Sequence, residues 1–189
     1  MMRFIFNAGQ DFKMKKKLEN VELHACNKYI PPISCCKVVK VYDGDTITIA
    51  TFLPHDKKTP YRFSVRLRHV DTPELHSKDS NETNAAIFVR DIMKKKVLGK
   101  IIFVSQLSYD KYGRILANIY TNAEDAQTNN YDNSINKWLL NNKYAVVYDG
   151  EKKQNPPNWI TYIQSSTFQS QSSQHLEQPH KTQNYENSV

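Results

Sequence analysis

The sequence lacks any apolar run of the roughly 20 residues that a membrane-spanning helix needs. Near the N-terminus only three apolar residues, Phe4 to Phe6, stand in a row before the polar Asn7, which is too few for the core of a secretory signal peptide. A start at Met14 would lead through Lys15 to Lys17 into another polar stretch. These absences argue against a membrane-spanning or secreted protein, and we expect an intracellular protein with no membrane partner.

Cysteine is also scarce, with three residues in the chain: Cys26, Cys35 and Cys36. Their number is odd, two are adjacent, and neither they nor the six histidines show the spacing of zinc ligands. A zinc- or histidine-centred site is therefore not supported. We expect reduced thiols, with Cys35 or Cys36 packed in a strand.

The charge balance favours a polyanionic partner. The 189-residue chain carries a net charge of +7 and has a pI near 9.2, and such a basic balance is common in proteins that bind nucleic acid. A solvated basic surface explains the same numbers, and the lysines between 13 and 17 fit a soluble arm equally well. Charge raises the expectation of nucleic-acid binding without deciding it.

Two terminal segments lack regular patterns. Residues 1–34 show no lasting apolar periodicity and end near Pro31 and Pro32, which indicates an irregular basic leader. Residues 164–189 are dominated by Ser, Gln and Asn and are predicted to form a disordered tail. The folded domain is therefore expected over residues 35–163.

Five short segments of this domain are predicted to be β-strands. The clearest is 61–68, where Tyr61, Phe63, Val65 and Leu67 alternate with polar and mostly cationic residues. The other four have extended character and cover 37–42, 46–49, 101–107 and 115–121.

The segments between these strands predict turns and helices. Residues 54–60 and 122–133 are predicted to be a turn region and a polar loop. Apolar residues at helical spacing predict a helix over 85–96 with Gly99 at its C-cap, and a second short helix follows at 135–141. Five strands with a helix between the third and fourth predict an α+β fold that is mainly β, a five-stranded OB-fold barrel with two to three helices.

Three clusters of charged residues are candidates for chemistry, and each also has a purely structural interpretation. Asp-Gly between two extended segments is a common hairpin turn, Asp-Thr-Pro-Glu could begin a helix, and Tyr-Gly-Arg could be a turn with a solvated arginine. The clusters are 43–46 (Asp-Gly-Asp-Thr), 66–74 (ending in Asp-Thr-Pro-Glu) and 110–114 (Asp-Lys-Tyr-Gly-Arg).

Together the clusters supply the groups that phosphodiester hydrolysis needs. Asp45 and Asp71 offer hard carboxylate oxygens, which suit Ca²⁺ or Mg²⁺ rather than zinc. Thr72 precedes a proline, which favours an extended backbone and could aim its carbonyl at the same ion. Such an ion would neutralise phosphate charge and help to position or acidify a water. Glu74 lies three residues beyond Asp71, close enough to hold an attacking water.

Two arginines and two tyrosines complete the candidate set. Arg66 and Arg114 can each donate forked hydrogen bonds to phosphate oxygens, a geometry that lysine lacks. Arg66 also falls on the polar face of its predicted strand. Tyr112 and Tyr148 could stack on a base or hydrogen-bond a phosphate, although half-buried structural tyrosines explain them equally well.

The order of these motifs, D-G-D-T, then V-R-L-R-H-V-D-T-P-E, then D-K-Y-G-R, resembles the signature of the staphylococcal-nuclease (thermonuclease) family. The resemblance covers roughly residues 36–148, and the segment 135–140 is similar to a short helix of that family. It implies a Ca²⁺-dependent endonuclease that acts on DNA and RNA, cleaves the bond to the 5′ oxygen and leaves 3′-phosphates. Mg²⁺ or Mn²⁺ is a less favoured cofactor, and we expect a monomer that prefers single-stranded nucleic acid.

The resemblance also implies a role for each candidate residue. Asp43 matches an acidic residue near the metal, and Lys111 belongs to the third motif and is grouped with the substrate-binding positions. The implied calcium ligands are Asp45, Asp71 and the carbonyl of Thr72, the implied general base is Glu74, the implied phosphate-binding arginines are Arg66 and Arg114, and the implied substrate-binding residues are Lys111, Tyr112 and Tyr148.

Two departures from the family pattern and one competing function stay open. The loop after Glu74 is short and has only His76 and Lys78 as basic residues, which leaves the affinity for substrate and the substrate preference open. A final helix could begin at residues 158–160, but the Ser/Gln run that follows is a poor helix former. The competing function is a non-catalytic barrel that binds single-stranded nucleic acid or a protein, since the same fold supports both.

Overall fold

The N-terminal part of the chain contains a helix where the sequence predicted an irregular leader. The structure is a computed structural model that describes residues 8–151 and 153–165, and the chain divides into two units, residues 1–31 and residues 32–189. In the first unit, helix α1 spans Ala8–Leu18 and a 3-10 helix spans Leu23–Ala25. The prediction for this segment is wrong because charge placement, not apolar periodicity, favours the helix: an acidic residue lies in its first turn and three lysines lie in its last.

The second unit is built on a closed barrel of five strands, in the order β1-β2-β3-β6-β5. Neighbouring strands are antiparallel except β3 and β6, which are parallel, and β4 pairs with β7 in a separate two-stranded sheet. The predicted α+β class with a five-stranded OB-type barrel is confirmed. The strands are β1 (Cys35–Val41), β2 (Thr46–Leu53), β3 (Asp56–Leu67), β4 (Val70–Asp71), β5 (Ile101–Tyr109), β6 (Ile115–Tyr120) and β7 (Val146–Val147).

Strand β3 has the alternation that its sequence predicts, but it begins earlier. Val65 and Leu67 are buried in the barrel core, whereas Arg66 between them faces the opposite side. The predicted turn at 54–60 is wrong beyond residue 55, because β3 already begins at Asp56, which pairs with Leu53 of β2. Proline is tolerated at position 60 because this part of β3 pairs with β2 alone.

Helix α2 (Ser80–Val97) covers the barrel and begins earlier than the predicted range of 85–96. Of the apolar residues that predicted it, Ala85 and Val89 are buried, whereas Phe88 is 48% exposed. Asp79 caps the helix by accepting a hydrogen bond from the amide of Asn81, and Gly99 follows the helix end with a φ of 77°. Its buried face consists of Ala85, Ala86, Val89, Met93 and Val97.

The remaining helices correct the predicted loop and tail. Residues 122–133 contain helix α3 (Ala123–Gln127) and a 3-10 helix (Tyr131–Asn133), so the prediction of a loop is wrong there. Helix α4 (Ile135–Asn141) lies where it was predicted. Residues 159–165 are also helical, with Trp159 and Ile163 buried in the core, so the predicted tail starts too early. Residues 166–189 lie outside the described part of the chain.

The described residues also bear on the cysteines and on membrane spanning. Cys36 is buried on β1, whereas Cys26 and Cys35 are exposed, and all three are free thiols. Within the described ranges, no helix has both the length and the apolar character that crossing a bilayer requires.

Candidate active site

The turn between β1 and β2 carries the first predicted motif and holds it rigidly. Asp43 accepts two amide hydrogen bonds with Oδ1, from Asp45 at 3.1 Å and from Thr46 at 2.7 Å. A Cβ on Gly44 would lie 2.7 Å from Cγ1 of Val89, so only glycine fits here. The hairpin interpretation is therefore compatible with the functional one, which stays a prediction, because the turn is what positions Asp45.

Arg66 joins the first two motifs through a buried double ion pair. Its Nη1 lies 2.6 Å from Oδ1 of Asp45, and its Nη2 lies 2.6 Å from Oδ1 of Asp71. The amide of Thr72 donates to Oδ2 of Asp45 over 3.2 Å. Residues 72–79 contain no helix, so the alternative that Asp-Thr-Pro-Glu begins a helix is wrong, and the segment brings Thr72 against the first turn.

Burial and neighbouring carboxylates disfavour the charged form of Asp45. The pKa of Asp45 is raised to about 7. Burial is the largest cause and raises it, Arg66 lowers it, and the charges of Asp43 and Asp71 raise it. The carboxylates in turn raise the pKa of Arg66, although burial opposes this shift. An additional cation at this position would stabilise the ionised form of Asp45.

Lys153 is a member of the site that the sequence analysis missed. Its Nζ lies 3.0 Å from Oδ2 of Asp71 and also contacts Oε1 of Glu74. Burial lowers the pKa of Lys153, but the two carboxylates outweigh this effect and raise it. No motif surrounds Lys153, and it meets Asp71 only because the irregular segment before residues 159–165 runs past β4. The sequence therefore contains no local signal for this contact.

The turn between β5 and β6 presents the third motif. Asp110 organises it, since its Oδ1 accepts the amides of Tyr112 and Arg114 and its Oδ2 lies 2.6 Å from Nε of Arg114. Gly113 has a φ of 82°, which the tight turn requires. The Tyr112 ring is 74% exposed and has the guanidinium of Arg114 at 5.6 Å and Nζ of Lys111 at 5.1 Å from its centroid.

Tyr148 is held beside Arg66 by the small second sheet. It follows β7, and its amide donates to the carbonyl of His69 over 3.1 Å. The guanidinium carbon of Arg66 lies 5.7 Å from the centroid of the Tyr148 ring. The ring is therefore fixed next to the buried ion pair.

One cleft of about 670 Å³ brings the predicted residues together. Asp45, Asp71 and Thr72 are buried and are not in its wall. The two aspartates contact the wall residues Arg66 and Lys153, and Thr72 contacts Asp45. The predicted residues in the wall are Asp43, Arg66, Glu74, Lys111, Tyr112, Arg114 and Tyr148. Other lining residues that the sequence analysis did not assign include Tyr42, Arg68, His69 and Lys153.

Of these additional wall residues, Arg68 could have been predicted from the sequence. It lies two residues after Arg66 in the chain, so the period of an extended strand predicts that the two side chains point the same way. Its Nη1 donates to the carbonyl of Gln106 and to Oγ of Ser108, each over 2.8 Å. These bonds fix Arg68 against β5.

The donor chemistry of the buried cluster fits a hard divalent cation. Within residues 8–151 and 153–165, no three His, Cys, Asp or Glu side chains come together as ligands of one ion. The two carboxylates of Asp45 and Asp71 would therefore need a main-chain carbonyl and water to complete a coordination shell, which is normal for calcium.

Comparison with known proteins identifies the family. The model of the family described as "Staphylococcal nuclease homologue" matches residues 64–174, more than half of the chain. An uncharacterized endonuclease of Escherichia coli is 31% identical over 134 residues, which cover 65% of this chain and 74% of the relative. An uncharacterized endonuclease of Escherichia coli O157:H7 is 30% identical over 134 residues, with the same coverage of 65% and 74%. An uncharacterized protein of Methanocaldococcus jannaschii is 32% identical over 132 residues, which cover 59% of this chain and 58% of the relative. The chain belongs to the staphylococcal nuclease family.

Proposed function

We propose that this protein is a Ca²⁺-dependent endonuclease that hydrolyses phosphodiester bonds of DNA and RNA at the 5′ oxygen and leaves 3′-phosphates. Membership of a nuclease family and two relatives named as endonucleases support the general activity. The observation that carries the proposal is the cleft itself, in which Glu74 and two arginines lie above the buried carboxylates of Asp45 and Asp71.

The metal would be held by Asp45, Asp71 and the carbonyl of Thr72. When bound, a calcium ion supplies charge neutralisation at the phosphate and a polarised water. A set made of oxygen donors alone suits calcium, which tolerates irregular geometry, better than Mg²⁺, which demands nearly ideal octahedral geometry. Mn²⁺ and Mg²⁺ are accordingly the weaker alternatives.

Glu74 is the proposed general base. Its carboxylate is 54% exposed at the edge of the cleft, so it can accept a proton from an incoming water. The water oxygen then bonds to phosphorus while the bond from phosphorus to the 5′ oxygen breaks. The departing 5′ oxygen takes a proton from solvent water in the open cleft, and the phosphate stays on the 3′ side.

Arg66 and Arg114 are proposed to stabilise the charge that builds on the phosphate oxygens in the transition state. Both guanidinium planes are fixed in advance, Arg66 by two carboxylates and Arg114 by Asp110. Fixed donors need little reorganisation during the reaction, which makes their contribution to rate large.

The tyrosines and Lys111 are proposed to hold the nucleotides next to the reacting phosphate. Tyr112 and Tyr148 line the same cleft, and exposed aromatic rings stack on bases that are free of a duplex. We therefore propose that single-stranded DNA or RNA is preferred and that a single chain carries a complete site.

The test is cleavage of end-labelled single-stranded DNA, duplex DNA and RNA, with Ca²⁺, Mg²⁺ or Mn²⁺ and with chelator. Glu74→Gln is the active-site variant, and Glu124→Gln, an exposed glutamate of α3, is the matched control. We expect calcium-dependent cutting that falls by about 100-fold or more in Glu74→Gln and is unchanged in the control. Products should resist polymerase extension until a phosphatase removes their 3′-phosphates.

The competing function has a different outcome in the same assay. Absence of cutting with all three metals, together with tight binding of single-stranded DNA that chelator does not affect, would support a non-catalytic binding module. Equal cutting by Glu74→Gln and the wild type would refute the assigned base while leaving the nuclease in place.

A further inference from the structure

Lys153 provides a positive charge at the point where the buried carboxylates meet the cleft. Its Nζ contacts Oδ2 of Asp71 at 3.0 Å and also contacts Oε1 of Glu74. Asp71 is 1% exposed, and its other oxygen is taken by Arg66. Lys153 thus completes the charge compensation of a buried carboxylate.

The two carboxylates that Lys153 contacts are those that the proposed reaction needs. Asp71 is a proposed metal ligand and Glu74 is the proposed base, so the ammonium occupies Oδ2 of the ligand and one carboxylate oxygen, Oε1, of the base. A divalent cation on Asp71 and the ammonium of Lys153 would also repel each other at this distance. The lysine and the ion are therefore competitors for one position.

Lys153 can leave this position, whereas Arg66 cannot. Arg66 belongs to β3, its side chain is 12% exposed, and two carboxylates and the carbonyl of Val70 hold it. Lys153 lies in the irregular segment before residues 159–165, and its side chain is 40% exposed. A long flexible stem at the cleft edge can move its ammonium into water at little cost.

We propose that Lys153 is a built-in cation that fills the carboxylate site when calcium is absent and is displaced when calcium binds, which releases Glu74. This inference rests on the proposed calcium-dependent function. Lys153 then opposes metal binding and occupies one carboxylate oxygen of Glu74 until the metal binds. The charge of Asp71 is then compensated in both states, by the ammonium of Lys153 when calcium is absent and by the ion when calcium is bound.

The first experiment is calorimetric titration of calcium chloride into the full-length protein at low ionic strength. Lys153→Met keeps most of the length of the side chain and removes its charge, Lys153→Arg keeps the charge, and Lys100→Met changes an exposed lysine outside the cleft. We expect Lys153→Met to bind calcium about tenfold more tightly than the wild type, a modest effect because the lysine is partly exposed. Lys153→Arg and Lys100→Met should bind within about twofold of the wild type. Equal affinity of Lys153→Met and the wild type would overturn the inference.

The second readout is thermal unfolding of the same proteins with chelator and with saturating calcium. In chelator, Lys153→Met should melt several degrees below the wild type, because Asp71 loses a charge partner in a buried position. In saturating calcium this difference should disappear, because the ion replaces the lysine. A difference that persists unchanged in calcium would identify a purely structural ion pair and would also overturn the inference.

The two proposals fail in different ways. If calcium binds, Glu74-dependent cleavage occurs and all lysine variants have the same affinity, the role of Lys153 is refuted and the nuclease stands. If calcium binds to none of the proteins and no cleavage occurs, the proposed function is refuted and the displacement inference is refuted with it.

Discussion

Gly44 and Thr72 lie in such close contact that a single added methyl group would not fit between them. A Cβ built on Gly44 would stand 2.8 Å from Cγ2 of Thr72 and 2.7 Å from Cγ1 of Val89. The turn that carries Asp45 is thus packed directly against the segment that carries Asp71, and both rest on α2. The two halves of the proposed metal site therefore form one packed unit, and their spacing depends on the absence of a side chain at position 44.

Replacing Gly44 with alanine should separate these two halves. We expect Gly44→Ala to lower the free energy of unfolding by about 1–3 kcal/mol, the usual cost of overpacking, and to weaken calcium binding because Asp45 must move. Urea denaturation and calcium titration measure the two effects. Val89→Ala removes the atom that the new Cβ would clash with, so the double variant should lose less stability than the sum of the losses of the two single variants. A loss equal to that sum would show that the contact with Val89 is not the cause.

Asn136 joins three parts of the core through its side-chain amide. It is fully buried, its Oδ1 accepts from the amide of Ile119 at 3.0 Å, and its Nδ2 donates to the carbonyls of Arg68 and Ala117. Asn136→Leu should remove the partner of the buried Ile119 amide and of the partly buried Arg68 carbonyl, whereas the Ala117 carbonyl keeps the amide of Arg68, and should cost about 3 kcal/mol. Asn141→Leu, at an exposed position of the same helix, should change stability by less than about 0.5 kcal/mol. Urea denaturation of both variants checks this, and equal stability would contradict it.

The barrel and the location of the candidate site were predictable because their signals are local. Alternation in β3 sends Val65 and Leu67 to the core and Arg66 to the other face, so one short stretch of sequence predicts both the strand and the arginine's side. The order of the three motifs then predicts that Asp45, Asp71 and Arg114 share one site. Their chemical roles stay predictions until the variants are measured.

The features that were missed depend on long-range contacts or on weak local signals. Lys153 meets Asp71 through the path of an irregular segment, for which the sequence has no periodicity to read. Helix α3 is only five residues long and has no buried residue, so apolar spacing does not reveal it. Its local signals are Asn122, which caps the helix by accepting from the amide of Asp125, and the acidic Glu124 and Asp125 in its first turn.

The buried thiol of Cys36 should resist both modification and ionisation. Burial raises the pKa of Cys36 from 9.0 to about 12, with a smaller contribution from Cys35. Above about pH 9 the unfolded state loses the Cys36 proton while the folded state keeps it. The free energy of unfolding therefore falls as the pH rises from about 9 towards 12. At pH 8.5, iodoacetamide should label Cys26 and Cys35 in the native protein and all three thiols in urea, as counted by mass spectrometry. Rapid native labelling of Cys36 would contradict its burial.

Arg66→Lys tests whether geometry or charge matters at the centre of the site. The guanidinium spans two carboxylates with its two terminal nitrogens, each at 2.6 Å, and a single ammonium cannot reproduce that fork. We expect nuclease activity to fall by about 100-fold or more, because the fixed phosphate donor is lost, and the melting temperature to fall by several degrees. Arg62→Lys, an exposed arginine of the same strand, is the matched control and should leave both measurements unchanged. If Arg66→Lys has a normal melting temperature but loses activity, Arg66 acts in catalysis alone. If it has full activity but a lower melting temperature, Arg66 is only a structural bridge between Asp45 and Asp71.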